Sequence, residues 1–234
     1  MTKAWYELDS RPTGSRYWGA VVRKQPSAVL VTIQLLAIAL LPWVEPQPWG
    51  RAVIAGLSLV AVTFGIWTIR STPALTWLAL LIGFPAFVLE VWSVVDSGNV
   101  PVVFTAHLML SIFYLYVAYG LVAYMFADTW VTKDEMFAVA AAFTVLLFAF
   151  AYLYFAIQTV APGSFSMPGG GGHRTFLELL YFSAANLTSV GLSDILAVKS
   201  HARAAVILEQ LTGVLYVAMV ISRLVALTVM RARG

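Results

Sequence analysis

The residues that invite a chemical reading are 186–195, NLTSVGLSDI. Thr188, Ser189 and Ser193 carry hydroxyls, Gly191 has no Cβ, and Asp194 closes the strip with a carboxylate. Such a strip offers oxygen, from hydroxyls and from backbone carbonyls that small side chains leave uncovered. Gly191 lets the backbone visit φ > 0 without a Cβ penalty. Taken alone the pattern is weak, because Ser, Gly and Asp occur in any loop and Asp194 suits an ordinary helix N-cap. Other chemistries have less support. His107, His173 and His201 show no metal-ligand spacing. No HExxH, Ser-His pairing or paired intramembrane carboxylates favour an enzyme, and no inverted repeat favours a transporter. With no cysteine, disulfides and thiolate metal sites are excluded.

The elements that must position this strip are hydrophobic. Of 234 residues 61% are apolar and 11% charged, with a mean hydropathy of +0.86, whereas a soluble domain carries about a quarter charged residues. The chain reads as an all-α membrane protein. Six runs approach the ~20 residues needed to cross ~30 Å of hydrocarbon: 28–44, 52–69, 74–95, 102–126, 136–160 and 204–229. Pro46 and Pro48, the stretch 70–73, and Asp96 to Pro101 separate the early ones. Ala37-Ile38-Ala39 faintly resembles a signal-peptidase site but lies inside the first run, so that helix is expected to stay uncleaved.

The net charge of +3 suggests no nucleic acid, because Lys and Arg sit at helix ends and termini. Lys3, Arg11, Arg16, Arg23 and Lys24 precede the first span, and Arg231 and Arg233 follow the last. The positive-inside rule then puts both termini in the cytoplasm, consistent with six crossings. Residues 1–27 form a cytoplasmic segment in which Tyr17, Trp18, Val21 and Val22 suit an interfacial helix facing lipid; a flexible positive tail is the equal alternative. Spans one to four, 28–126, read as a scaffold. The fourth contains no Lys or Arg, which a voltage sensor would need.

Between spans five and six, residues 162–172, with four consecutive glycines, form an extracellular turret without core-forming capacity. Then HRTFLELLYFSAANL has a helical apolar pattern, with Thr175 as N-cap and Glu178 closing a capping box. A helix of ~13 residues is too short to span, so it should enter and return. Backbone that leaves a helix at membrane depth is tolerated where it is buried in protein or lines a water-filled cavity.

A short re-entrant helix, then TSVGLSD, then a long helix bearing Gly213 at mid-length resembles the pore module of tetrameric potassium channels, as found in small bacterial members. The resemblance covers about residues 176–227; the earlier spans match in number alone. It implies that residues 134–230 are a pore domain with outer helix, turret, pore helix, filter and inner helix. Against the family filter T-V-G-Y-G-D stand Ser189, Val190, Gly191, Leu192, Ser193 and Asp194, with Thr188 just ahead. A potassium ion leaving water needs oxygens that replace its hydration shell, and a ring of four chains supplies them from backbone carbonyls. The implied partners are three further copies of the chain and membrane lipids. No cofactor and no metal beyond permeant K+, or Na+, is implied, and the setting is a bacterial inner membrane.

The departures from the family pattern carry expectations. Leu192 replaces the tyrosine that braces the filter against pore-helix aromatics, here Tyr181 and Phe182. Ser193 stands where the family keeps a left-handed glycine, a geometry costing a side chain about 1 kcal/mol. Ala185 removes the glutamate that pairs with the aspartate after the filter, leaving Asp194 without it. The expectation is a potassium-like but less selective cation channel, not voltage-gated. A non-conducting structural or regulatory relative is the alternative, with a transporter or enzyme behind it. Gly213 serves either as a gate hinge or as a close-packing position. Glu209 reads as an anchor of the last helix ahead of a cation-tuning group, and Glu90 with His107 as interhelical hydrogen-bonding residues rather than a proton-linked pair.

Overall fold

The computed structural model describes residues 25–47, 49–50, 53–54, 56, 73–126, 133–166 and 172–233. Its helices are α1 (Pro26–Val44), α2 (Pro73–Val95), α3 (Val100–Met125), α4 (Lys133–Val160), α5 (Phe176–Leu187) and α6 (Ser200–Arg233), and two short strands, β1 (Phe165–Ser166) and β2 (Leu196–Ala197), flank α5. Five of these helices are long and apolar enough to cross a membrane. They match five of the six expected runs. The run 52–69 lies outside the described residues apart from Val53, Ile54 and Gly56, and so does the segment 1–24.

Local chemistry explains the boundaries. Pro26 and Pro101 each sit in the first turn of a helix, where the missing N–H would have no intrahelical acceptor. Asn99 caps α3 by accepting from the Val102 amide. The capping box of α5 forms as the spacing predicts: Thr175 Oγ1 accepts from the Glu178 amide at 3.2 Å, and Glu178 Oε2 accepts from the Thr175 amide at 2.8 Å. At 12 residues α5 is about 18 Å long, well short of the hydrocarbon thickness.

The central helix is α4, which packs against α1, α3, α5 and α6. Ala138, Ala141, Ala142, Ala149, Ala151 and Ala156 along it are fully buried. Small residues let neighbouring backbones approach closely where lipid supplies no hydrophobic drive between helices. Polar links add direction. Thr144 donates to Gln34 on α1, Ser27 donates to Asp134 through both its amide and its hydroxyl, and Arg223 on α6 pairs with Glu135 at 2.9 Å. Asp134 thus places a carboxylate at the first turn of α1, where the helix dipole favours it.

Candidate pore site

The C-terminal half is built outward from α4. Its Tyr154 ring packs on Phe182 of α5 and Phe165 of β1, with centroids 5.3 and 5.2 Å away, while Tyr152 packs on Phe176 at 4.7 Å. Phe182 is therefore buried behind α5, away from the strip. On the other side, Glu209 of α6 is fully buried and accepts hydrogen bonds from the hydroxyls of Tyr154 on α4 and Ser183 on α5. Ser183 also lies 3.0 Å from the Leu147 carbonyl. One carboxylate thus joins the three helices.

Gly213 lies where α6 crosses the end of α5. A Cβ built there would sit 2.0 Å from the Leu187 carbonyl oxygen, far inside contact distance, so the close approach itself accounts for the glycine. Beside it, Gln210 donates to Asn186 Oδ1 at 3.1 Å, and Asn186 donates to the Phe182 carbonyl. These bonds fix the last turn of α5, from which the strip departs.

The strip leaves α5 through Thr188, whose hydroxyl returns to the Ala184 carbonyl at 2.7 Å. Residues Thr188 to Leu192 are all exposed in the single chain. Gly191 has φ 69°, as its residue type anticipates, and the Gly191 amide donates to the Ala185 carbonyl at 2.9 Å. The second left-handed residue is Ser189, at φ 58°. Ser193, expected to bear that strain, does not have a positive φ; its hydroxyl oxygen instead accepts from the Ile195 amide at 3.1 Å. Positive φ at Ser189 and Gly191 with Val190 between them departs from an extended strand, in which φ stays negative.

Leu192 carries no tyrosine ring, yet its carbonyl accepts from the Tyr181 hydroxyl at 3.1 Å. Tyr181 is thus brought to the strip and Phe182 is not. The Gly191 carbonyl accepts from the Ser193 amide at 3.1 Å. No hydrogen bond among the described residues reaches the Asp194 carboxylate, which is exposed. The chain after the strip is held by β2, which pairs antiparallel with β1, and by Lys199, which donates to the Pro162 carbonyl.

The sequence reading missed one contributor from outside the C-terminal half. Glu45, just after α1, accepts from the amides of Phe176 at 2.6 Å and Leu177 at 3.2 Å. An acidic side chain at that place satisfies two orphan donors and complements the positive end of the α5 dipole. Its sequence signal was a lone carboxylate between tryptophans and prolines.

No curated protein and no solved structure matches the chain. A family model described as ion channel matches residues 111–230, from the middle of α3 through α4, α5 and the strip to the end of α6. That match covers just over half of the chain, so the chain belongs to the ion channel family.

Proposed function

We propose that four copies of this chain assemble around the 188–193 strip as a potassium-conducting channel. In this reading α5 is the re-entrant pore helix, α6 the inner helix and the strip the selectivity filter, with permeant K+ or Na+ as the only ions held. The observation that carries the reading is the strip's backbone. It leaves a short apolar helix, is exposed in the single chain, and takes positive φ at Ser189 and Gly191. Reversing backbone handedness at alternate residues turns neighbouring peptide groups away from the strand arrangement, in which successive carbonyls oppose one another. A stack of oxygens along one axis requires such a turn.

Assembly is supported by where apolar surface remains. Only 22% of the apolar stretch of α6 is buried in one chain, against 67% for that of α4. Ile207, Leu208, Leu211, Val214 and Leu215 are each more than half exposed. Four inner helices facing an axis and one another would cover that face. The reading is non-enzymatic and includes no cofactor, with both termini cytoplasmic and lipid as the surrounding partner. A pore with no Lys or Arg in 102–126 opens with little dependence on voltage, since each charge moved through 100 mV contributes about 2.3 kcal/mol.

The test is ion flux by the purified protein in liposomes, with particle mass measured in the same preparation. A tetramer with K+ flux and bi-ionic reversal potentials showing modest K+ over Na+ preference is the expected result. A tetramer without flux would favour the non-conducting relative. A monomer with no flux would sink both, and a steep open-probability curve in a planar bilayer would refute voltage independence.

A further inference from the structure

A cavity of about 530 Å³ lies between α2, α3, α4 and the first turn of α5, apart from the strip. A cavity of that size belongs to the range that holds small organic ligands. At one end is Glu90 of α2, which is 4% exposed and whose Oε2 has no hydrogen-bond partner among the described residues. Opposite it is His107 of α3. Its Nδ1 lies 2.6 Å from the Val103 carbonyl, which only accepts, so Nδ1 carries a proton and Nε2 faces Glu90. The separation from Nε2 to Glu90 Oε2 is 4.0 Å, beyond the ~2.7–3.2 Å of a hydrogen bond. Glu90 and His107 therefore do not hydrogen-bond to each other directly. With the imidazole neutral and the Glu90 carboxyl ionised, two acceptors confront each other across a gap suited to a donor with several protons.

Among the described residues, no hydrogen bond from the other charged groups around the cavity reaches Glu90 or His107. Glu45 is engaged by the amides of Phe176 and Leu177. Arg174 is clasped to Gln158, its amide donating to Gln158 Oε1 at 2.9 Å and its carbonyl accepting from Gln158 Nε2 at 2.8 Å, and its guanidinium donates to Gly172. His173 is exposed at the rim. Counting imidazoles as neutral, two carboxylates face one guanidinium, so the cavity favours a cation. Its far wall is aromatic: Tyr152, Phe155 and Phe176 line it, with Phe155 4.5 Å from the His107 ring. Aromatic faces attract cations and bury apolar groups.

We propose that this cavity binds an organic primary ammonium ligand, its ammonium bridging Glu90 and His107 and its apolar body lying on Tyr152, Phe155 and Phe176. An alcohol of the same shape has one proton to offer and no charge to set against Glu90. The wall includes Thr175 and Phe176, so the occupant touches the start of α5. Binding itself does not depend on conduction and is read independently of it.

The experiment is thermal denaturation of the full-length protein in detergent, titrated with phenethylammonium, butylammonium and, as the neutral control, 2-phenylethanol. Saturable stabilisation by at least one ammonium and none by the alcohol is expected, with apparent affinity falling tenfold or more in Glu90→Gln. Ser97→Trp places a ring among the cavity-lining residues at an exposed position and should abolish the shift without touching the buried pair. Equal stabilisation by the alcohol, no shift with either ammonium, or an undiminished shift in folded Glu90→Gln overturns the proposal. If Glu90→Gln does not fold, a shift that persists in Ser97→Trp does so.

Discussion

Glu209 offers a direct measure of what holds α6, because three substitutions separate its contributions. It is fully buried and accepts from Tyr154 and Ser183, and Ser183 has a second acceptor in the Leu147 carbonyl. Glu209→Gln keeps the volume. Tyr154 can still donate to the amide oxygen, while the amide nitrogen donates to Ser183, which turns its own proton to Leu147. The Tyr154 and Ser183 hydroxyls keep acceptors and one of the two amide protons is left without one, so the cost should be about 1 kcal/mol. Glu209→Leu fills similar space but leaves the Tyr154 hydroxyl unpaired in an apolar interior, which costs about 1–3 kcal/mol. Removing that hydroxyl as well, in Glu209→Leu with Tyr154→Phe, should recover much of the loss, since replacing both partners by apolar groups is often nearly neutral. By the size scaling for chains of this length, the Leu variant alone should lower the apparent Tm by roughly 2–12 °C. Thermal melts in detergent, followed by retention of the assembled mass on a sizing column, measure each step. A Leu variant as stable as wild type would show that the hydrogen bonds contribute nothing. A Gln variant that folds normally but changes conductance would mean that the charge acts on ions, contrary to the anchoring role.

Three further outcomes follow from single contacts. Gly213→Ala puts a methyl 2.0 Å from the Leu187 oxygen, so α6 must shift away, and a loss of about 1–3 kcal/mol is expected; unchanged melting would mean that α6 gives way at the crossing without cost. Gly191→Val should abolish permeation with assembly intact, because a β-branched side chain resists the φ of 69° there, and persistent flux in an assembled variant would remove Gly191 from the path. Glu45→Ala should weaken the start of α5 by about 1 kcal/mol, visible as faster amide exchange at Phe176 and Leu177; unchanged exchange would show that water caps the helix equally well.

What the sequence made legible was local. Thr175 and Glu178 are three residues apart, and that spacing alone dictates their reciprocal bonds. The apolar runs were equally plain, since each helix must by itself satisfy its backbone in lipid. What it hid was the pairing of residues distant in sequence. Glu45 lies 131 positions before the amide it meets at Phe176, and Tyr154 lies 55 before Glu209. Nothing in a lone intramembrane carboxylate names its donor. Gly213 was ambiguous for a related reason, because a hinge and a close crossing call for the same residue, and the close crossing shows only in the position of Leu187. The cavity beside Glu90 was invisible because no periodicity encodes empty space between helices.

The strip itself shows how residue type and backbone geometry come apart. Aligning it by type puts strain on Ser193, whereas the left-handed residues are Ser189 and Gly191. The reason to expect modest selectivity therefore changes. Strain does not loosen the outer end: the Tyr181 hydroxyl tethers the Leu192 carbonyl, and the Ser193 amide reaches back to the Gly191 carbonyl. Those bonds brace the strip, but they engage on one side the two carbonyls that an outer ion would use. A carbonyl oxygen has two lone pairs, so each retains some capacity, directed by a bond the ion does not choose. The deeper oxygens of Thr188, Ser189 and Val190 carry no comparable burden from the strip's own amides. In the proposed tetramer an ion held mainly by the deeper rings, and loosely by the outer ones, would be stripped of water less completely at the entrance. Sodium and potassium would then differ least where discrimination would otherwise begin.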